Sequence, residues 1–193
     1  NTGDWQSGKL SAGSIAATTK DNLQLDRNSD TSLAWAELIE SELQSNSLIK
    51  SFCLPKKIHG IMFSKTGIGQ GYGAHVDNAY MSSGRSNLSF TLFLSESNSY
   101  EGGELCIQAL QKEEELKLDA GQLVVYPSTS LHSVNQVTKG ERIVCVGWIE
   151  SYIPRNEDRM DLFSLEAGAK SLLAKHGKSA ELNLIFQAYN NFL

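Results

Sequence analysis

Between residues 58 and 150 the chain alternates short apolar runs with glycine-rich or polar breaks. The runs are Ile58–Ser64, Ala74–Asp77, Leu88–Ser95, Glu104–Gln108, Glu115–Leu118, Gln122–Tyr126, His132–Val137 and Arg142–Glu150. The breaks include Lys65–Gly71, Ser95–Gly103, Asp119–Gly121 and Lys139–Gly140. Apolar runs of this length bounded by turn formers predict strands, and about eight of them in succession predict a sandwich or jelly roll. No helical periodicity separates the runs, which argues against a doubly wound α/β sheet. The texture differs on either side. Leu33, Ala36, Leu38, Ile39 and Leu43 recur at helical steps behind the capping residues Asp30, Thr31 and Ser32, predicting an amphipathic helix over 31–46. After Pro154, Asp158–Lys175 and Ser179–Phe192 carry apolar residues three and four apart, separated by Gly177. They predict two helices packed on the outside of the sheet. Residues 1–30 are polar, with short strands expected near Ile15–Thr19 and Leu23–Leu25. The expected organisation is one domain over 1–193, mainly β with flanking helices. Its jelly-roll core spans about 58–150 and its C-terminal helices about 157–192.

Composition narrows the function classes. The chain has 40% hydrophobic and 20% charged residues, 16 glycines and three prolines, as expected for a globular domain with many turns. The net charge is −5 and the densest basic spot is Lys56–Lys57, which disfavours tight nucleic-acid or membrane-surface binding. No apolar stretch reaches membrane-spanning length, and no signal-peptide pattern opens the chain. The first residue is Asn1 rather than methionine, so the chain is expected to be a fragment or to lack preceding residues. Cys53, Cys106 and Cys145 are odd in number and widely spaced, which predicts buried free thiols and a cytoplasmic, reducing location. Oligomeric state is not legible.

His75-Val76-Asp77 is the first candidate for chemistry. In a strand, residues two apart face the same side, so His75 and Asp77 can reach one metal while Val76 faces away. Alone, the tripeptide fits a strand-end histidine and a turn aspartate equally well. His132, at the start of another apolar run, changes the weight. Two imidazoles and one carboxylate make the facial triad of non-haem Fe(II) oxygenases, which leaves coordination positions open for a chelating keto acid and for O2. His59 and His176 lack such partners and read as structural or surface residues. Arg142 begins the run after His132, past the Lys139-Gly140 turn. Two neighbouring antiparallel strands joined by that turn would place it beside the metal, where its guanidinium can grip a carboxylate through two parallel hydrogen bonds. A surface arginine paired with Glu141 or Glu150 is the alternative. Tyr72 and Tyr126 are candidates to line the cavity or to pack in the core, and Trp148 is expected in the core. Asn78 and Arg85 are candidates for substrate contact or for support of the metal ligands. Gly102-Gly103 suits a turn with unusual backbone angles.

At these residues the chain resembles the Fe(II)/2-oxoglutarate dioxygenases, in particular the prolyl-4-hydroxylase-like, PKHD-type hydroxylases. The likeness lies in FSKTGIGQGYGAHVDNA (63–79), NLSFTLFLSESNSYEGGEL (87–105) and AGQLVVYPSTSLHSVNQVTKGERIVCVGW (120–148), with weaker likeness over Ala16–Asp26 and in the C-terminal helices. The resemblance implies a double-stranded β-helix, iron on His75, Asp77 and His132, and Arg142 on the distal carboxylate of 2-oxoglutarate. It implies hydroxylation of a C–H bond in a small molecule or peptide, such as a prolyl residue, with O2 consumed and succinate and CO2 released. Ascorbate is the expected auxiliary reductant. The family often carries a tyrosine where Thr66 stands, which makes Thr66 a co-substrate contact to examine, and an aspartate near Asn87. A nucleic-acid demethylase on the same scaffold, a non-catalytic jelly-roll binding module and a cupin-like zinc or manganese enzyme are the competing classes. The acidic balance opposes the first. The intact set of four residues opposes the second. Arg142 opposes the third.

Overall fold

The computed structural model describes residues 5–11, 18–109 and 112–193. Two antiparallel sheets face one another. The larger contains β1 (Trp5–Ser7), β3 (Leu23–Leu25), β4 (Pro55–Thr66), β15 (Arg142–Ser151), β8 (Leu88–Phe93) and β12 (Leu123–Pro127), in that spatial order. The smaller runs β11 (Glu113–Leu116), β10 (Leu105–Gln108), β13 (His132–Val134), β5 (Gly71–His75) and β2 (Lys20–Asp21). Two short ladders complete the ends: β6 (Tyr80–Met81) with β7 (Gly84–Arg85), and β9 (Glu101–Gly102) with β14 (Val137–Lys139). This is the expected double-stranded β-helix.

Strand alternation sorts the side chains into two environments. On β15, Val144 and Val146 point between the sheets and join Phe93, Leu105 and Tyr126 in an inner cluster. Cys145 and Ile149 point outward and join Ile58, Phe63, Leu88 and Phe90 beneath the helices. Each fully buried Ile, Leu or Phe here contributes about 1.5–3 kcal/mol by leaving water.

Helices α1 (Asp30–Ser45) and α2 (Ser47–Cys53) cover that outer face. Ser29 caps α1 through its hydroxyl, which accepts from the Ser32 amide at 3.2 Å. The buried stripe of α1 is set by Ser32, Ile39 and Leu43, with Trp35 edge-on to Phe63 at 5.5 Å. Leu33 and Leu38, part of the apolar pattern that marks the helix, are 50% and 57% exposed because the buried stripe is narrower than that pattern. No pattern in the sequence marks α2. Asn46 looks like a helix end, yet its side chain accepts from the amides of Leu48 and Ile49 and starts a new helix too short to show periodicity. Leu54, in the left-handed region at φ 44, ends it.

The C-terminal helices, α3 (Asn156–His176) and α4 (Ala180–Phe192), lie close to the expected spans. With the sheet already covered, α3 packs on α2 through Phe52 and Phe163, edge to face at 5.4 Å, and α4 packs on α3. The prediction that both lie on the sheet itself is corrected accordingly. Of the expected strand at Ile15–Thr19, residues 15–17 lie outside the described residues, and Thr18–Thr19 form a turn before β2. The run expected at His132–Val137 divides into β13 and β14, which belong to different ladders. No helix among the described residues is long and apolar enough to cross a membrane.

Candidate active site

Residues from both sheets converge on a cavity of about 610 Å³ between them. His75 closes β5 and His132 opens β13, and the two are direct cross-strand partners. Facing residues of an antiparallel pair share a side, so their rings meet, with centroids 4.2 Å apart. Asp77 lies just past the strand end and still turns inward, with Oδ2 at 4.0 Å from His132 Nε2. One ligand atom from each of the three residues lies within 4.8 Å of the others. Val76, between His75 and Asp77, is 49% exposed.

The histidines are oriented by main chain. His75 Nδ1 lies 2.9 Å from the Gly73 carbonyl and His132 Nδ1 lies 3.0 Å from that of Ser130. A carbonyl can only accept, so Nδ1 carries the proton and Nε2 keeps its lone pair for a metal. Burial, and next the adjacent His132, push His75 down to about 4. It is therefore neutral, and competent as a ligand, at neutral pH.

Asp77 is held by two donors. Trp148 Nε1 donates to Oδ2 at 2.9 Å and Ser89 Oγ donates to the same oxygen at 2.5 Å. Ser128 Oγ adjoins Ser89 Oγ at 2.8 Å and extends the chain. Both donors gather on Oδ2, the oxygen nearest His132 Nε2. The sequence reading placed Trp148 in the apolar core. The correction follows from parity: Trp148 shares the inward face of β15 with Arg142, Val144 and Val146, and there its indole N–H meets the carboxylate.

Arg142 enters from the opposite sheet. The route inferred for it was wrong, since β13 and β15 are not neighbours: β15 pairs with β4 and β8. The side chain is 3% exposed. It forms no salt bridge among the described residues, and its Nε has no hydrogen-bond partner. The surface alternatives are occupied, Glu141 by Lys65 at 3.6 Å and Glu150 by Lys56 at 2.7 Å. Phe93 lies beneath the guanidinium at 5.5 Å and the Tyr100 phenol stands near it. Burial lowers the Arg142 pKa. An interior cation without a salt bridge is costly, and an anion entering the cavity would lower that cost.

The remaining candidates divide. Thr66 is the cross-strand partner of Arg142, buried and on the cavity wall. Tyr72 stacks on His75 with centroids 3.6 Å apart, and burial raises its phenol to about 12. Tyr126 meets His132 edge-on at 5.1 Å, inside the inner cluster, with its phenol pKa raised by burial. Asn78 lines the cavity together with Met81, Ser82 and Ser83 of the β6–β7 hairpin. Arg85 is occupied elsewhere, donating to the Tyr80 hydroxyl at 2.6 Å. His59 is structural, fixing that hairpin through Ser83 Oγ at 2.8 Å and the Arg85 carbonyl at 3.0 Å. Asn87 is structural as well, accepting from the Ser151 amide at 3.0 Å. Gly102 and Gly103 have φ of 72° and 68°, the unusual angles expected. Lys20 and Arg27, on the cavity wall, went unnoticed in the sequence because nothing in a polar N-terminal stretch marks them. A second grouping, Cys106 with Glu113 and Glu115, joins a buried thiol to exposed carboxylates. Burial raises that thiol, which makes it a poor ligand.

Two imidazoles, one carboxylate and a buried guanidinium without a salt bridge among the described residues fit Fe(II) and a dicarboxylate together. Comparison with known proteins agrees. The model of the 2OG-Fe(II) oxygenase superfamily matches residues 61–150. A PKHD-type hydroxylase of Prochlorococcus marinus strain MIT 9313 is 65% identical over 189 residues, covering 98% of this chain and 86% of that protein. Another, from strain MIT 9211, is 62% identical over the same length and coverage. Among solved structures, a Pseudomonas putida prolyl-4-hydroxylase shares the fold at a TM-score of 0.53 and 21% identity, covering 70% of this chain and 75% of that one. A Trichoplax adhaerens prolyl hydroxylase, solved with a hypoxia inducible factor peptide fragment, gives 0.53 at 16% identity, covering 83% and 74%. On identities this high across nearly its whole length, the chain belongs to the PKHD-type hydroxylases of the 2OG-Fe(II) oxygenase superfamily and is an Fe(II)- and 2-oxoglutarate-dependent oxygenase.

Proposed function

We propose that His75, Asp77 and His132 hold the iron and that Arg142 receives the distal carboxylate of 2-oxoglutarate. The reaction we infer is hydroxylation of an unactivated C–H bond in a small molecule or peptide, with a prolyl residue as the first candidate. The observation that carries this reading is Arg142, a buried cation without a salt bridge among the described residues, in the same cavity as the triad. When bound, iron and 2-oxoglutarate supply the activation of O2, and succinate and CO2 leave as the hydroxyl group is delivered.

The chain's own residues do the positioning. Gly73 and Ser130 fix the tautomers that present Nε2 of each histidine. Trp148 and Ser89 hold the Asp77 carboxylate in one orientation beside His132. A carboxylate in this position, rather than a vacancy, favours hydroxylation over halide transfer. Arg142, with Thr66 beside it, sets the direction in which the keto acid enters, which removes orientational freedom before reaction. Thr66, where the family often has tyrosine, lacks a phenol; Tyr100 and Tyr126 are the phenols near the guanidinium and Tyr72 is the one on the cavity wall. Asn78 and the β6–β7 hairpin border the opening by which substrate reaches the metal. Ascorbate would keep the metal reduced between turnovers, and three buried free thiols suit a reducing cytoplasm.

The test is a panel of prolyl peptides, free amino acids and small metabolites supplied with Fe(II), 2-oxoglutarate and O2. The reading expects at least one compound to raise succinate release and to gain one oxygen atom in matching amount. Exchange of chlorine for hydrogen, or succinate release without product oxygenation by any stimulating compound, would overturn it.

A further inference from the structure

The turn at Pro127–Ser130 is closed by the Ser130 amide, which donates to the Pro127 carbonyl at 2.9 Å. It leads from β12 in the larger sheet to β13 in the smaller one, which opens with His132. Its Ser130 carbonyl accepts from His132 Nδ1 at 3.0 Å and so fixes one proposed iron ligand. Its Ser128 hydroxyl reaches the support of another, Asp77.

The register explains that reach. Ser89 on β8 pairs with Tyr126 on β12 and with Trp148 on β15. Pro127 pairs with Leu88, and the Ser128 amide donates to the Asn87 carbonyl at 3.2 Å, which extends the ladder by one position. Ser128 is thus the diagonal, same-face neighbour of Ser89. Their hydroxyl oxygens are 2.8 Å apart, and each residue is 2% exposed. Ser89 lines the cavity, whereas Ser128 is not among its lining residues.

The direction of these hydrogen bonds is fixed by chemistry. A hydroxyl has one proton to give, and a carboxylate can only accept. Ser89 gives its proton to Asp77 Oδ2 at 2.5 Å. Ser89 Oγ therefore accepts from the Ser128 hydroxyl. A donor at that oxygen polarises the Ser89 O–H and blocks the rotation that would turn its proton away from Asp77. We propose that Ser128 is a positioning residue for the metal site, acting on Asp77 through Ser89, so that one turn holds two of the three ligands. This inference rests on the proposed iron ligation. Ser128 supports the carboxylate from outside the cavity, as outer partners of metal ligands do.

The test is anaerobic competition for Fe(II) between the protein and a chelator of known affinity, with circular dichroism as the folding control. Wild type, Ser128→Ala, Ser89→Ala and the double variant are compared. Ser128→Ala should bind Fe(II) about threefold to tenfold more weakly, the size of one neutral hydrogen bond. Its affinity for 2-oxoglutarate at saturating Fe(II) should hold. In the Ser89→Ala background, Ser128→Ala should cost nothing further, because its route to Asp77 is already cut. A residue that only stabilises the turn would cost the same in both backgrounds. Unchanged Fe(II) affinity in folded Ser128→Ala, or an undiminished loss in the Ser89→Ala background, overturns the proposal. Should Ser128→Ala not fold, Ser128→Cys, a weaker donor of similar shape, takes its place in the same cycle. Failure of the underlying reading shows separately, as equal Fe(II) affinity in wild type and Asp77→Ala.

Discussion

Replacing Trp148 by phenylalanine isolates one contact of the proposed metal site. The indole N–H donates to Asp77 Oδ2 at 2.9 Å, and phenylalanine keeps an aromatic ring on the cavity wall but cannot donate. The ring is closely seated: a Cβ on Gly60 would lie 2.5 Å from Trp148 Cε3, so the indole lies against that glycine. A hydrogen bond to a charged group is worth about 1.5–3 kcal/mol. At about 1.4 kcal/mol per factor of ten, Fe(II) affinity should fall about 10- to 150-fold. Ser89 still donates to the same oxygen, which favours the lower half of that range. The assay is anaerobic competition for Fe(II) against a chelator of known affinity, with circular dichroism and thermal midpoint as folding controls. Affinity for 2-oxoglutarate at saturating iron should hardly move. In Ser89→Ala combined with Trp148→Phe, the losses should not add, because both donors serve one oxygen. An unchanged Fe(II) affinity in well-folded Trp148→Phe would refute the reasoning that Trp148 positions the ligand.

Other consequences follow from the same geometry. Arg142→Ala should weaken 2-oxoglutarate binding by about 3–5 kcal/mol, the cost of breaking a buried ion pair, while Fe(II) affinity stays within a few-fold; isothermal titration of each ligand checks this, and equal loss of both would make Arg142 structural. Gly102→Ala should lower stability by about 1–3 kcal/mol in a denaturant melt, because φ is +72° and the new Cβ would meet the Gln136 carbonyl at 2.1 Å. His75, held near 4, lies below the ordinary histidine value of 6.5, so its protonated form is disfavoured in the folded state. Its contribution to stability is therefore intact above pH 6.5 and is lost progressively as the pH falls towards 4. Urea melts of metal-free wild type and His75→Gln across that window should converge at low pH, and parallel profiles would contradict this.

The sequence made the fold legible where local pattern and tertiary environment agree. The central strands β4, β8 and β15 appear as apolar runs because each is buried on at least one face. Pro55–Lys57 escaped notice because the opening of β4 is partly solvated and polar. The triad was legible because two ligands share one strand end and the third is chemically matched. Trp148 was equally within reach: it has the same parity as Arg142 on one strand, but an aromatic in an apolar run defaults to core unless its N–H partner is sought. Arg142 does line the cavity, but not through the neighbour relation expected for it. In a jelly roll, consecutive strands can join opposite sheets, and spacing alone does not reveal that the site is closed from both sides. Lys20 and Arg27 show the other limit, since the wall they complete comes from a segment without periodicity.

The central claim is that the triad and Arg142 together bind Fe(II) and 2-oxoglutarate as one unit. Anaerobic titration of the metal-free protein with Fe(II) and then 2-oxoglutarate, followed by visible absorption, tests it most directly. The account predicts a weak metal-to-ligand charge-transfer band that needs both additions and is lost in His132→Ala. Folded, iron-loaded wild-type protein that shows no such band at saturating 2-oxoglutarate would contradict it.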